Sequence, residues 1–574
     1  MAIIRTLFIA AVLGFLGLVT ASLISPTGAA AAFLKAEMAP IMFASMVVFL
    51  LLGYPVAFSL GACGMLYGIV GIEIGLFTPA LLQAMPNRIF GVMENDTLLA
   101  IPFFTFMGLI LERSGMAEDL LDTVGQLFGP VPGGLAYAVV FVGALLAATT
   151  GVVAASVISM GLISLPIMLR YGYDRRLATG TIAASGTLAQ IIPPSLVLIV
   201  LADQLGKSVG DMYQGAFIPG FTLTALYAGY VIARTIIDPK CAPALPLEAR
   251  TIRETGNKNP YWSLVIVVVV AAAAGYALTH KMHPIWASAI VGFVVYLLAQ
   301  VNRVLKLGLL SNMGQQVIIV MMPPLALIFL VLGTIFVGIA TPTEGGAMGA
   351  TGALILALSY RRLTLSLLMQ ALDSTAKLTA FVVFILVGAR VFSLTFYGVD
   401  GHLWVEELLL GLPGGKYGFL IVVNILVFLL AFFLDFFELA FIIVPLLAGA
   451  ATKLGIDLVW FGVLLGVNMQ TSFMHPPFGF ALFYLRSVAP DKPYVDKITG
   501  QKTDGVTTTQ IYWGAVPYVC IQVVMVGILI ALPELVTFGL DHGPKVDPSK
   551  VKIEIEAPQQ DDNPPPIIIP PPKN

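Results

Sequence analysis

Apolar residues run along this chain in long stretches that contain no Asp, Glu, Lys or Arg: residues 7–24, 38–72, 97–111, 123–169, 177–202, 212–233, 261–279, 284–302 and 307–343, with more beyond. An α-helix needs about 20 apolar residues to cross a bilayer core, so the longest stretches must hold two spans or a segment that enters and folds back. Two of the apolar regions carry the same interruption. In the first, Ser185, Gly186, Thr187 and Gln190 lead up to Pro193-Pro194-Ser195; in the second, Asn468, Gln470, Thr471 and Ser472 lead up to His475-Pro476-Pro477 and Gly479. Proline lacks an N–H, and its ring clashes with the carbonyl one turn back. Each pair therefore predicts the end of one half-helix and the start of another, with carbonyls freed at membrane depth.

Walking backwards from the two breaks meets the same features twice. Leu165-Pro166 precedes Pro193 by 27 residues and Val444-Pro445 precedes Pro476 by 31. Upstream, Thr149-Thr150-Gly151 in one half and Leu434-Asp435-Phe436-Phe437-Glu438 in the other stand where an apolar run must fold back. Gly53-Tyr54-Pro55 has its counterpart in Ala340-Thr341-Pro342. Charge then orients the halves. The loop after the first fold-back carries Arg170, Arg175 and Arg176, whereas the matching loop carries Lys453 against Asp457, so the positive-inside rule makes the two hairpins enter from opposite sides. The pattern predicts an all-α polytopic membrane protein, an inverted-repeat elevator-type transporter with two re-entrant helical hairpins and two discontinuous helices. Its expected parts are an extra N-terminal span over residues 1–37, a first repeat over 38–238, and a cytoplasmic loop with two inserted spans over 239–306. A second repeat over 307–535 and a proline-rich tail over 536–574 follow.

Composition narrows the function. At 58% hydrophobic and 11% charged residues, the chain belongs in a bilayer. The formal charge of −2 and the lack of a basic block argue against nucleic acid as a partner. Cys63, Cys241 and Cys520 are isolated, which suits membrane packing and not a zinc site or a disulfide framework. Arg5 and the apolar run after it would also suit a signal peptide, but a run of 18 residues is long for one, and a retained span is expected. No Walker loop, HExxH or GxSxG is present, so the reading is a transporter driven by an ion gradient and not an enzyme.

The candidate chemistry sits at the breaks. Hydroxyls, amides and unwound carbonyls are sodium ligands, while half-helix N-termini carry partial positive charge suited to a carboxylate. Two repeats give two such clusters, hence two sodium ions flanking one small organic anion. Ser, Thr and Gly also permit close helix packing in lipid, so any single hydroxyl here has a structural alternative. Asp435 and Glu438, three apart, suit cation binding, proton carriage or capping of a turn. Arg390 suits a substrate carboxylate or an internal ion pair. Glu344 in Thr341-Pro342-Thr343-Glu344 reads as a first-turn acid on a Thr-capped helix, and His475 as a proton or hydrogen-bond donor or a packed ring.

The runs Ala148-Thr-Thr-Gly151, Leu165-Pro-Ile-Met-Leu-Arg-Tyr-Gly-Tyr-Asp174, Ala183 to Ser195, Gly338-Ile-Ala-Thr-Pro-Thr-Glu344 and Leu434-Asp435 resemble the large membrane subunit, DctM type, of tripartite ATP-independent periplasmic (TRAP) transporters. The resemblance covers most of residues 38–535. It implies a sodium-driven elevator in the bacterial inner membrane, a separate small membrane subunit, and a periplasmic substrate-binding protein that delivers a carboxylate. It further implies ligands at Thr149 to Gly151, Ser185 to Thr187, Pro193 to Ser195, Asn468 to Ser472 and Pro476 to Gly479, among which Thr149, Thr150, Gly151, Pro194, Ser195, Pro477 and Gly479, together with Arg390, are the expected substrate contacts. Cation contacts are implied at Ser185 to Thr187 and Asn468 to Ser472, with Gln190 and Asp435 as further candidates. His475 departs from the Thr-Pro-Pro of family members, and the inserted spans make the chain long. A stand-alone divalent-anion/sodium symporter, an intramembrane enzyme using Asp435 with Glu438, and a passive channel are the competing readings.

Overall fold

A computed structural model describes residue 14 and residues 17–151, 153–252, 254, 261–496 and 499–540. Among the described residues, nine helices are long and apolar enough to cross a membrane, or up to eleven if two sharply bent helix pairs each count as one span. The chain is thus an all-α polytopic membrane protein, with one exception outside the apolar runs. Tyr494–Val495 and Lys502–Thr503 form a two-stranded antiparallel ribbon, a departure from the expected all-α chain. The polar segment between the last two long helices has no apolar face for a helix to bury, and Gly500 supplies the left-handed turn.

The order of elements repeats. In the first half, Val56–Glu73 and Ala100–Arg113 are followed by Met116–Phe128, then by the antiparallel pair Gly134–Thr150 and Val153–Arg170. Arg175–Thr187 and Leu196–Leu205 then flank the first proline pair, and Val209–Ile237 closes the half. In the second half, Pro342–Ser359 and Leu365–Gly398 lead to Gly401–Leu410, Gly415–Leu430 and Phe436–Glu438, the last running through a wide π turn into Val444–Lys453. Leu458–Met469 and Phe480–Val488 flank the second pair, and Thr508–Ala531 closes it. Packing between the halves is reciprocal: Val56–Glu73 lies on Leu365–Gly398, and Ala100–Arg113 lies on Pro342–Ser359.

Small residues make these crossings close. A Cβ at Gly180 would stand 2.0 Å from the Gly514 carbonyl oxygen, and one at Gly514 would stand 2.3 Å from that of Arg176. Arg175–Thr187 and Thr508–Ala531 therefore meet backbone to backbone, the contact that small residues permit between helices in lipid. The Thr181 and Tyr518 hydroxyls seal the crossing at 2.6 Å.

Several expectations change. The N-terminal segment is not one straight span where it is described: Gly17–Ile24 and Ala29–Ala36 are bent by 118° about the turn at Pro26. Its first 13 residues, and residues 541–574 of the proline-rich tail, lie outside the described residues. Ahead of residue 100, two short helices, Ala80–Gln83 and Met85–Met93, occupy a stretch outside the long apolar runs. The inserted helices are Trp262–Thr279 and Pro284–Leu305; of their side chains only Ala287, Ala299 and Asn302 are buried. The loop before them tucks under the first half, where Gly133 and Asp174 donate backbone N–H bonds to the carbonyls of Ala242 and Cys241.

Candidate functional site

Each broken helix begins in the same way. Gly172 and Gly455 take left-handed conformations, and Asp174 and Asp457, two positions later, cap the helices by accepting the N–H of Leu177 at 3.0 Å and of Trp460 at 2.8 Å. A side-chain oxygen at that position satisfies a donor the helix cannot pair internally. Both aspartates stand 19 residues ahead of their proline pairs (174 to 193, 457 to 476), a spacing more regular than that of Pro166 and Pro445. Pro132-Gly133-Gly134 and Pro413-Gly414-Gly415 likewise open Gly134–Thr150 and Gly415–Leu430. Both signals of the repeat stand in the sequence itself, as Gly-x-Asp and Pro-Gly-Gly.

Both helices tighten and stop before the prolines. Thr187 gives way to a 3₁₀ turn at Leu188–Gln190, and Met469 to another at Gln470–Phe473; α-helix resumes only at Leu196 and at Phe480. Ser195 braces the first gap: its Oγ donates to the Gln190 carbonyl at 2.5 Å and accepts the Leu198 N–H at 3.4 Å, capping the second half-helix. Tyr213 donates its hydroxyl to the Ser195 carbonyl at 3.4 Å. Pro194 lies buried beside them. In the second gap the Gly479 N–H bonds to the His475 carbonyl at 2.6 Å, and Phe480–Val488 receives no side-chain cap. The Pro477 carbonyl accepts the Tyr512 hydroxyl at 3.3 Å.

The two breaks touch. Gln470 Nε2 donates to Thr187 Oγ1 at 3.0 Å, and the Thr187 hydroxyl in turn donates to the Ala184 carbonyl at 2.8 Å. Thr187 and Gln470 are each six positions ahead of their proline pair, so positions equivalent in the two halves meet directly. Around this contact, Ser185 Oγ, Gln190 Oε1, Gln470 Oε1 and Ser472 Oγ are buried with no hydrogen-bond partner among the described residues. Buried polar atoms are rarely left unpaired, and four in two short segments form a set of neutral oxygens with capacity to spare. Among the described residues no three His, Cys, Asp or Glu side chains converge, so neutral oxygens are the donors on offer. That chemistry fits a hard monovalent cation.

The fold-backs come to the same region. Gly151, in the left-handed conformation at φ +58°, ends Gly134–Thr150, and a Cβ there would stand 3.2 Å from Leu196 Cγ at the start of the second half-helix. The side chains of Thr149 and Thr150, and all of Val152, lie outside the described residues. Gly143 abuts Ser185 and Gly186 abuts Val157, each closely enough that a Cβ would clash, so both arms of the first hairpin rest on the first break. In the second half, Asn468 Nδ2 donates to the backbone and side-chain oxygens of Asn424, at 2.8 and 2.9 Å, tying break to hairpin; Thr471 donates to the Asn468 carbonyl at 2.7 Å.

Other candidates fall elsewhere or into other duties. Asp435 caps the short helix at the second fold-back, accepting the Phe436 N–H at 2.6 Å, while Glu438 accepts the Asp435 N–H at 2.9 Å. Glu438 also lines a cavity of about 330 Å³ with Tyr54, Phe58, Phe384 and Phe433. Glu344 accepts the Thr341 N–H at 2.8 Å in the same kind of capping pair. Arg390 stands on Leu365–Gly398 next to the Gly388–Ala57 crossing, and no hydrogen bond or ion pair among the described residues joins it to either break. Lys453 pairs with Glu406, while Arg170 meets Asp496 at 2.9 Å.

A family model, "Tripartite ATP-independent periplasmic transporter, DctM component", matches residues 43–535. The chain is 29% identical over 437 residues to the C4-dicarboxylate TRAP transporter large permease protein DctM of Pseudomonas aeruginosa, a match spanning 75% of this chain and 85% of that one. It is 26% identical over 460 residues to the protein of the same description from Rhodobacter capsulatus, across 77% of this chain and 88% of that one. It is 24% identical over 454 residues to the isethionate TRAP transporter permease protein DctMQ of Oleidesulfovibrio alaskensis, across 79% of this chain and 61% of that longer one.

Proposed function

The chain belongs to the DctM component family of tripartite ATP-independent periplasmic transporters, and from that premise we propose that it imports a small carboxylate coupled to sodium. It is a transporter permease and not an enzyme, a multi-pass protein of the bacterial inner membrane, and a secondary transporter of organic anions. Membrane subunits of this family work with a small membrane subunit and a substrate-binding protein. Here those partners are a separate small chain and a periplasmic protein that delivers the anion.

The observation that carries the reading is the Gln470–Thr187 contact, which joins two broken helices among four unpaired buried oxygens. In the proposal, sodium ions take those oxygens, one ion at each break. The carboxylate sits between the fold-backs and the half-helix starts, at Thr149 to Gly151, Pro194, Ser195, Pro477 and Gly479. Sodium neutralises the electron-rich oxygens first and so lets the anion bind, because an anion placed beside unpaired oxygens alone is repelled. Contact between equivalent positions, equal cap spacing and reciprocal packing support two repeats of opposite orientation. An inverted pair makes inward-facing and outward-facing states equivalent, and the domain bearing the hairpins slides against the remaining helices to carry the site across.

Uptake into proteoliposomes containing this chain, its small subunit and its binding protein tests the coupling. Flux should rise with external sodium and saturate. Accumulation that is indifferent to the sodium gradient removes the proposal.

A further inference from the structure

His475 immediately precedes the second proline pair and is 1% exposed. Its ring lies flat on Phe432, with centroids 4.1 Å apart and planes 19° apart, and meets Phe428 edge to face at 4.3 Å. The backbone holds the residue independently, through its N–H to the Thr471 carbonyl and its carbonyl to the Gly479 N–H. A phenyl ring would satisfy all of these contacts. Among the described residues neither Nδ1 nor Nε2 makes a hydrogen bond of good geometry, and the Ala431 carbonyl is the one acceptor beside the ring. In a neutral tautomer the ring therefore buries a donor that is at best poorly paired and an acceptor that is not paired, capacity that its packing on Phe428 and Phe432 does not use.

The surroundings say what would use the donor. Ser472 Oγ, three residues earlier, is also buried and unpaired among the described residues; its lone pairs face the cation in the reading above, and its O–H stays free to donate. The half-helix Phe480–Val488 begins just beyond, with no side chain capping its N–H groups. Imidazole N–H, hydroxyl and the uncapped N–H groups at the start of a helix are all donors within a short stretch of chain, the kind of group from which a carboxylate accepts. The first break differs at each point. Ile192 occupies the position of His475, and Ser195 already caps Leu196–Leu205.

We propose that His475 is a substrate-binding residue, donating a ring N–H to the carboxylate of the transported anion at the second break, a role for which the first break has no counterpart side chain. The proposal rests on the reading of the two breaks as the transport site. It makes the two pseudo-equivalent breaks chemically unequal, with anion recognition weighted toward the second.

Thermal unfolding of the full chain in lipid nanodiscs tests it, with sodium chloride alone and then with succinate, pyruvate, gluconate or benzoate as probes. Wild-type protein should be stabilised by sodium, and further by at least one of these carboxylates. In His475→Phe, which keeps the aromatic clamp and removes both nitrogens, the half-saturating carboxylate concentration should rise roughly tenfold or more, the loss of one hydrogen bond to a charged group. Half-saturation by sodium should stay within about threefold, since both ring nitrogens stand outside the oxygen set. The length-matched pair His475→Gln and His475→Met gives a second comparison that does not depend on the phenylalanine variant folding. Glutamine, which restores an N–H, should bind the carboxylate markedly better than methionine. Wild-type carboxylate binding in His475→Phe, or equal binding by the glutamine and methionine variants, overturns the proposal while leaving the transport site standing. Failure of every probe to stabilise the wild-type chain overturns both.

Discussion

Replacing Gln470 with leucine separates a structural strut from an ion ligand. Gln470 makes one bond across the junction, from Nε2 to Thr187 Oγ1, and leaves Oε1 unpaired. Leucine has similar bulk and removes both atoms. Side-chain hydrogen bonds between membrane helices average about 0.6 kcal/mol, which sets the loss. Thr187 keeps its bond to the Ala184 carbonyl, so no new unpaired group appears. Against the loss stands the removal of one buried, unpaired carbonyl oxygen, whose desolvation penalty is about 1–3 kcal/mol. Gln470→Leu should therefore leave the unfolding free energy unchanged or raise it by roughly 1 kcal/mol. Sodium binding should move the other way. An interaction with a charged partner is worth about 1.5–3 kcal/mol, so the sodium concentration for half-maximal uptake should rise roughly tenfold to a hundredfold. Unfolding in nanodiscs and sodium-titrated uptake in proteoliposomes read the two effects separately. A variant that loses more than about 2 kcal/mol of stability with its sodium response intact would show the reasoning to be wrong, and Gln470 would then be a strut only.

Three further outcomes are expected. Gly180→Leu drives a side chain into the Gly514 carbonyl, and because the obstacle is backbone the helices must separate; little monodisperse protein should survive detergent extraction, and a normal yield with an unchanged melting temperature counts against the crossing. Ser195→Ala removes both the cap on Leu196–Leu205 and the tie to the Gln190 carbonyl, and should lower stability by about 1–2 kcal/mol in thermal unfolding; no change would mean that the brace is redundant. Arg170→Ala removes the ion pair to Asp496, which keeps its bonds from the Thr499 N–H and hydroxyl, at a cost of about 1.5–3 kcal/mol, and should speed proteolysis within residues 489–507; wild-type cleavage rates speak against that ion pair anchoring the loop.

Much of the candidate site was readable because proline acts locally. Two Pro-Pro pairs in apolar sequence end helices wherever they occur, and their polar run-ups stand out against a hydrophobic background. The equal 19-residue spacing of Asp174 and Asp457 was equally local, since a left-handed glycine followed two positions later by an aspartate marks a helix start. Other members of the site give no such signal. Asn424 and Tyr213 are ordinary residues of apolar helices and Phe432 of the turn after one, and only packing brings Asn424 to Asn468, Tyr213 to Ser195, and Phe432 to His475. Asp435 shows the converse: its place in the sequence suits cation binding, proton carriage or capping alike, and the fold adds that it caps the turn at the second fold-back.

By itself, then, the sequence determined that this chain lives in a bilayer, where its helices break, and which residue types stand at each break, because hydropathy and proline stereochemistry act over a turn or two of chain. The tertiary structure decided that the breaks meet, through Gln470 and Thr187, and which oxygens there remain unpaired. It also decided that the second break presents a buried imidazole where the first presents isoleucine in an environment already capped. Those facts depend on helices hundreds of residues apart approaching to within hydrogen-bond distance, and that approach is set by small-residue crossings such as Gly180 on Gly514, whose energy exists only once both partners are in place.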